Sequence, residues 1–238
     1  MVSAIFLLLA AAELVLLIWV YRQWRRLGSW PLALLVVPLA LQWADAGIIG
    51  LGRAIGEGET LLALNQTRFF WHIFTLPILL ISLGSLLRLA DFPGARHRGF
   101  QTAFCLAAVV GWVSAWPWWP TADFHPACYL DTLRYVNLVA AGQQCHPGQA
   151  LGASSGFPVL GLAVILVEIA AGAWLWWRRQ WPWLTVGAVL VLLTAMLPVR
   201  LIGMVPGFIG DGLSMLAFAV TAAEFSRRYV ARAAPASP

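Results

Sequence analysis

Asp45, His72, Arg200 and Asp211 stand inside stretches otherwise apolar enough to cross a bilayer. An ionisable group there costs a few kcal/mol unless it faces a partner or a cavity, which makes these four the first place to look for chemistry. A histidine oriented by a carboxylate can move a proton, and an arginine can grip a phosphate or carboxylate. In this reading His72 is the general acid or base, Asp45 or Asp211 orients it, and Arg200 holds the substrate with Arg68 at the rim. Helical spacing widens the set. Asn65, Arg68, His72 and Thr75 follow one another at intervals that put them on one helix face, Asp211, Ser214 and Thr221 make a second stripe, and Gln42 shares a face with Asp45. Asn65 and Ser214 thereby join the candidate substrate contacts. The opposing expectation is a structural network in which Asp45 pairs with Arg68 or Arg200, and Asp211 with the other, so that buried charge is merely neutralised.

Glu13 and Glu168 differ from these, lying near the middle of their stretches with no basic residue at the same depth. They form a candidate path for a proton or cation. Glu224 is close in sequence to Arg227 and Arg228 and is expected to pair with them. Cys128 and Cys145 fall in the longest loop, residues 121–156, where an oxidising compartment would join them in a disulfide. The rival is a zinc site completed by His125 and His146, although the adjacent Cys145 and His146 suit one tetrahedral metal poorly. No metal ligand set is assigned elsewhere, and Cys105 reads as a packing residue.

The elements that would position these groups follow from composition. Apolar side chains make up 61% of the 238 residues, charged ones only 11%, and the mean hydropathy is +0.80, which excludes an ordinary water-soluble domain. A hydrocarbon core about 30 Å thick needs roughly 20 residues of helix per crossing. Seven stretches qualify, at about 2–20, 31–52, 69–87, 100–119, 157–177, 182–203 and 207–226. The expected fold is an all-α, seven-transmembrane-helix bundle forming one integral membrane domain over residues 1–238. Arginines follow the first apolar run rather than precede it, so a retained helix is expected there instead of a signal peptide. Eleven of the fifteen arginines fall in the loops and ends around residues 22–30, 88–99, 178–181 and 227–232, and four (Arg53, Arg68, Arg134, Arg200) on the opposite side. The excess predicts an external amino terminus, a cytoplasmic carboxyl terminus and a bacterial-type inner membrane. Trp112, Trp116, Trp118 and Trp119 would mark the outer interface, and Trp176, Trp177, Trp181 and Trp183 the inner one. Pro77 and Pro198 are expected to bend spans three and six.

All fifteen basic residues are arginine, so lysine chemistry is absent. The seven-span layout resembles that of the rhodopsins, but a retinal Schiff base needs a lysine. A bis-histidine haem needs two intramembrane histidines, and His72 alone lies in a span. Gly210-Asp211 resembles the end of the Gly-x-Gly-Asp setting of intramembrane aspartyl proteases, with Asp45 as the second acid. The basic balance follows from topology, so nucleic acid is not an expected partner. Expected partners are membrane lipids, a lipid-like ligand or another membrane protein. Three functions remain open: an enzyme acting on a lipid-like or amphipathic small molecule in an outward-facing polar pocket, a non-catalytic sensor or accessory subunit of a membrane complex, and a proton-coupled transporter.

Overall fold

The computed structural model describes residues 1–117, 122–152, 159–197 and 203–233. Among them the chain forms seven helices and one β-hairpin. Helices α1 (Val2–Leu27), α2 (Trp30–Ile55), α3 (Glu59–Leu89) and α4 (Arg98–Ala115) come first. Strands β1 (His125–Tyr129) and β2 (Thr132–Val136) follow, and α5 (Val159–Arg179), α6 (Trp183–Ala195) and α7 (Val205–Ala233) complete the order.

Five of these helices, α1, α2, α3, α5 and α7, are long and apolar enough to cross a membrane. The expected spans 100–119 and 182–203 are not matched in full. Arg98, Gln101, Thr102 and Ser114 dilute the 18 residues of α4. The α6 helix is apolar throughout but has 13 residues, about 20 Å of rise at 1.5 Å per residue. The loop 121–156 also departs from an all-α fold. It carries an antiparallel pair in which Cys128 faces Leu133, with Ala127 bridged to Gln144 beyond it.

Local chemistry sets the helix ends. Gly28 closes α1 in the left-handed conformation and donates its amide to the Trp24 carbonyl, and Pro31 then opens α2, where a missing amide hydrogen costs nothing. Ser29 shares a 2.5 Å hydrogen bond with Ser226 of α7, and Ser82 of α3 donates to the Pro31 carbonyl, so three helices meet at this turn. Pro77 lies within a continuous helix, and so does Pro38, which the sequence reading passes over.

The packed core is divided. The larger cluster lies toward the arginine-rich end and includes Leu32, Leu35, Leu83, Leu86, Leu175, Leu184, Phe218 and Phe225. A smaller one, with Phe6, Ala46, Ile49 and Met204, lies toward the hairpin. Close helix approach depends on small residues. A Cβ placed on Gly187 of α6 would come within 2.5 Å of the Ala217 Cβ on α7. The outer surface is apolar, with Leu8, Val15, Val110 and Val113 each 66–71% exposed, as suits side chains whose solvent is lipid.

At the arginine-rich end, Asp91 follows α3 in the left-handed region and pairs with Arg96, with Arg179 of α5 and with Arg232 of α7. Arg179 and Arg232 also donate to the Ala90 and Leu89 carbonyls left open at the α3 carboxyl end. Glu224 pairs with Arg227 and Arg228, as its spacing predicts. Trp181 is not a surface anchor: it donates to Thr221 at 2.9 Å and packs on the core, whereas Trp176, Trp177 and Trp183 are exposed. Trp118 and Trp119 lie outside the described residues.

Candidate functional site

Between the two core clusters the helices leave a cavity of about 490 Å³ lined from α2, α3, α5, α6 and α7. Its polar wall is built one helix at a time. From α2, Gln42 and Asp45 project one turn apart. From α3 come Thr67, Arg68, His72 and Thr75, the face that helical spacing predicts. Asp211 and Ser214 enter from α7, and Glu168 from α5. Trp71, Phe208, Leu76, Leu79 and Ile165 supply apolar surface around them.

Asp45 and Arg68 form an ion pair, Nε to Oδ1 at 2.9 Å, with 14% and 8% of their side chains exposed. The guanidinium also stands 4.6 Å from the centre of the Phe69 ring. Arg68 Nη1 is buried without a hydrogen-bond partner among the described residues. His72 lies one turn further along α3, within electrostatic range of both partners, and its side chain stays exposed along the cavity. Thr75 donates back to the His72 carbonyl at 3.1 Å.

The acidic groups converge more than depth counting suggests. Asp211 is within electrostatic range of Asp45, and Glu168 of Asp211, so the acids of α2, α7 and α5 share one space. Glu13 of α1 is 4% exposed and lies beside Gln42 and Gly212, within range of Asp45 and Asp211. Neither Glu13 oxygen has a hydrogen-bond partner among the described residues. The two central glutamates are thus both within electrostatic range of Asp211.

One expected contact falls elsewhere. Asn65 is fully buried, donates to the Leu61 carbonyl at 2.7 Å, and is not on the cavity wall. Its place in the stripe reflects burial one turn before the cavity opens. Arg200 and Pro198 lie outside the described residues. Trp71, Phe208 and Pro38 line the cavity, and a reading that follows charge alone misses them. The spacing of Thr67 and Trp71, four residues apart, is the sequence signal that points to the second edge of this face.

The hairpin closes over the same end of the bundle. Cys128 and Cys145 are joined in a disulfide, while His146 pairs with Glu57 at 3.0 Å and His125 with Asp123 at 3.2 Å. Both histidines are therefore engaged away from the sulfurs, and the zinc alternative finds no ligand set there. Gln149 ties the loop down, donating to the Pro126 carbonyl and accepting from the Cys145 amide. Gly52 of α2 packs directly beneath the Leu133 carbonyl, where a Cβ would collide with it. Arg134 of β2 donates to Gln143 at 2.7 Å and contacts Met204. Burial pushes the Arg134 guanidinium down to about 9, with Arg68 adding to the shift and Asp45 opposing it, which still leaves it cationic at neutral pH. Asp131, at the hairpin turn, pairs with the Met1 ammonium and accepts from the Val2 and Ser3 amides. These donors, the ammonium foremost, hold the Asp131 carboxyl below its usual range.

Among the described residues no group of three His, Cys, Asp or Glu side chains converges closely enough to hold a metal ion. The chemical resources of the cavity are thus one neutralised ion pair, one imidazole and two further carboxyls in an apolar shell. The chain matches no protein-family profile, and no curated protein or solved structure is significantly similar to it.

Proposed function

We propose that this chain is an integral protein of a bacterial-type inner membrane, with its amino terminus outside and its carboxyl terminus in the cytoplasm, whose cavity takes an amphipathic or lipid-derived small molecule. One observation carries this reading: a cavity of about 490 Å³, within the range of small-molecule sites, collects ionisable groups from four helices while most of the rest of its wall is apolar. Such a wall suits a ligand with one polar end. The bias of arginine toward the end opposite the hairpin supports the orientation, as does the disulfide, which needs an oxidising compartment. Short α6 and diluted α4 would complete a seven-span bundle by packing against longer neighbours.

In the enzymatic form of this reading His72 carries the proton, Asp45 holds the site in register through Arg68, and Ser214 contacts the substrate. His72→Ala should abolish turnover of a responsive lipid-like substrate without lowering folded yield, and full activity in that variant sinks the catalytic assignment. Occupancy is tested by native mass spectrometry of protein purified in mild detergent. A Cβ on Gly161 meets nothing within 4 Å, so Gly161→Phe should fill the cavity without displacing a helix. Wild-type protein should carry a lipid-like adduct that Gly161→Phe lacks, and an adduct carried equally by both places the ligand elsewhere.

A second reading is favoured by the closed Asp45–Arg68 pair, which leaves the guanidinium engaged. In it the protein is a non-catalytic sensor or accessory subunit, and Asp45 or Asp211 variants fail in assembly with a copurifying neighbour before any chemistry is lost. A proton-coupled transporter is the remaining alternative, with Glu13, Asp211 and Glu168 as the proton path. Proton flux into liposomes that disappears in Glu168→Gln would favour it.

A further inference from the structure

We propose that the α5–α7 wall of the cavity holds a protonated amine, so that the occupant is an amphipathic cation instead of a phosphate or carboxylate. This inference rests on the reading of the cavity as a ligand site and names the ligand's polar group. It starts from Glu168, which is 3% exposed, lines the cavity, and makes no side-chain hydrogen bond or ion pair among the described residues. A buried carboxyl with no protein donor beside it on a cavity wall is a group whose hydrogen-bonding capacity a ligand can satisfy.

Asp211 shares the wall with Glu168, is within electrostatic range of it, and likewise has no hydrogen-bond partner among the described residues. Ser214 follows Asp211 on the same face of α7. Among the described residues lining the cavity Arg68 is the basic one besides His72, and it is already engaged by Asp45. A phosphate or carboxylate would thus meet two carboxyls, with only the open Arg68 Nη1 among the described wall residues to offset them. An alkylammonium supplies donors without needing an acceptor. Trp71 and Phe208 on the wall add aromatic faces of the kind that attract cations, and Leu76, Leu79 and Ile165 accommodate a hydrocarbon body.

The test uses the full chain in a neutral maltoside detergent with three matched probes, decylamine, decanol and decanoate, and reads binding by native mass spectrometry and thermal shift. Decylamine should bind about tenfold or more tightly than either competitor, the scale expected of a charge-assisted hydrogen bond. Glu168→Gln should weaken decylamine about tenfold while changing decanol less than about threefold, and Gly161→Phe should remove all three. Decanoate preferred over decylamine overturns the amine assignment. So does decylamine binding that is unchanged in Glu168→Gln but lost in Gly161→Phe, and both results leave the ligand cavity standing. Binding of all three probes that ignores Gly161→Phe overturns the cavity reading itself. Should Glu168→Gln fold poorly, Asp211→Asn takes its place: the amine assignment stands if decylamine leads on wild-type protein and weakens about tenfold in that variant, and falls otherwise.

Discussion

Asp45 and Arg68 are worth more as a pair than either is alone, because each was taken from water on condition that the other be there. Asp45→Asn should destabilise the bundle by roughly 3–5 kcal/mol, whereas adding Arg68→Met to it should restore most of that loss. Unfolding in mixed micelles across the four proteins of this double-mutant cycle measures the coupling, and independent effects would show the pair to be ornamental. At the other end of the molecule, hydrogen bonds from Arg232 and then Arg96 hold the Asp91 carboxyl below its ordinary value of 3.8. A depressed carboxyl contributes stability that is fully present above its unfolded value and is lost as pH falls through the folded one. Wild type should therefore melt above Asp91→Asn at pH 6, with the gap closing as pH falls below 3.8. A gap independent of pH would assign the effect to packing. At this scale the sequence is legible where a charge stands inside an apolar stretch, as at Asp45, His72 and Asp211, which share the cavity wall. It misleads at Asn65, because helical spacing specifies a face but not where along that face a cavity begins. Glu168 reads as a lone central acid because the rotation that turns it toward Asp211 is set by the packing of α5, which one helix's sequence does not contain.

Among the elements, the hairpin has the most to lose from one atom. Gly52→Val would drive a side chain into the Leu133 carbonyl, so β2 must lift from α2 and carry Arg134 with it. Limited proteolysis should then cut residues 125–150 in the variant while leaving wild type intact, and equal resistance would mean that the hairpin has another anchor. Reducing the Cys128–Cys145 bond, which closes a loop with a sequence separation of 17, should cost about 3 kcal/mol of loop stability by the loop-closure argument. Five helices are legible from apolar length and the disulfide from compartment logic, but the hairpin is not. Pro126 and Cys128 within β1 hide its alternation, and its order comes from a docking surface on α2 that lies far away in sequence. Among the described residues α4 closes at Ala115 and α6 at Ala195, short of the apolar stretches that contain them, because a hydropathy window counts apolar residues and does not fix where a helix stops.

For the whole molecule, the orientation is the prediction with most at stake. In a Cys105→Ser background, Glu57→Cys should react with an impermeant maleimide in intact cells and Arg96→Cys only after the membrane is broken. The reverse pattern would invert the topology and put the hairpin disulfide in a reducing compartment. The bundle also has an order of completion written into its charges. Asp91 emerges 88 residues before Arg179 and 141 before Arg232, the two partners that tie it to α5 and α7. During synthesis α1 to α4 must therefore wait in the bilayer with that clasp open and the cavity missing the walls that hold Glu168 and Asp211. Among the described helices α7 is made after the others and both shuts the clasp and completes the cavity wall, so a chain halted before it leaves Asp91 without Arg232 and the cavity without Asp211.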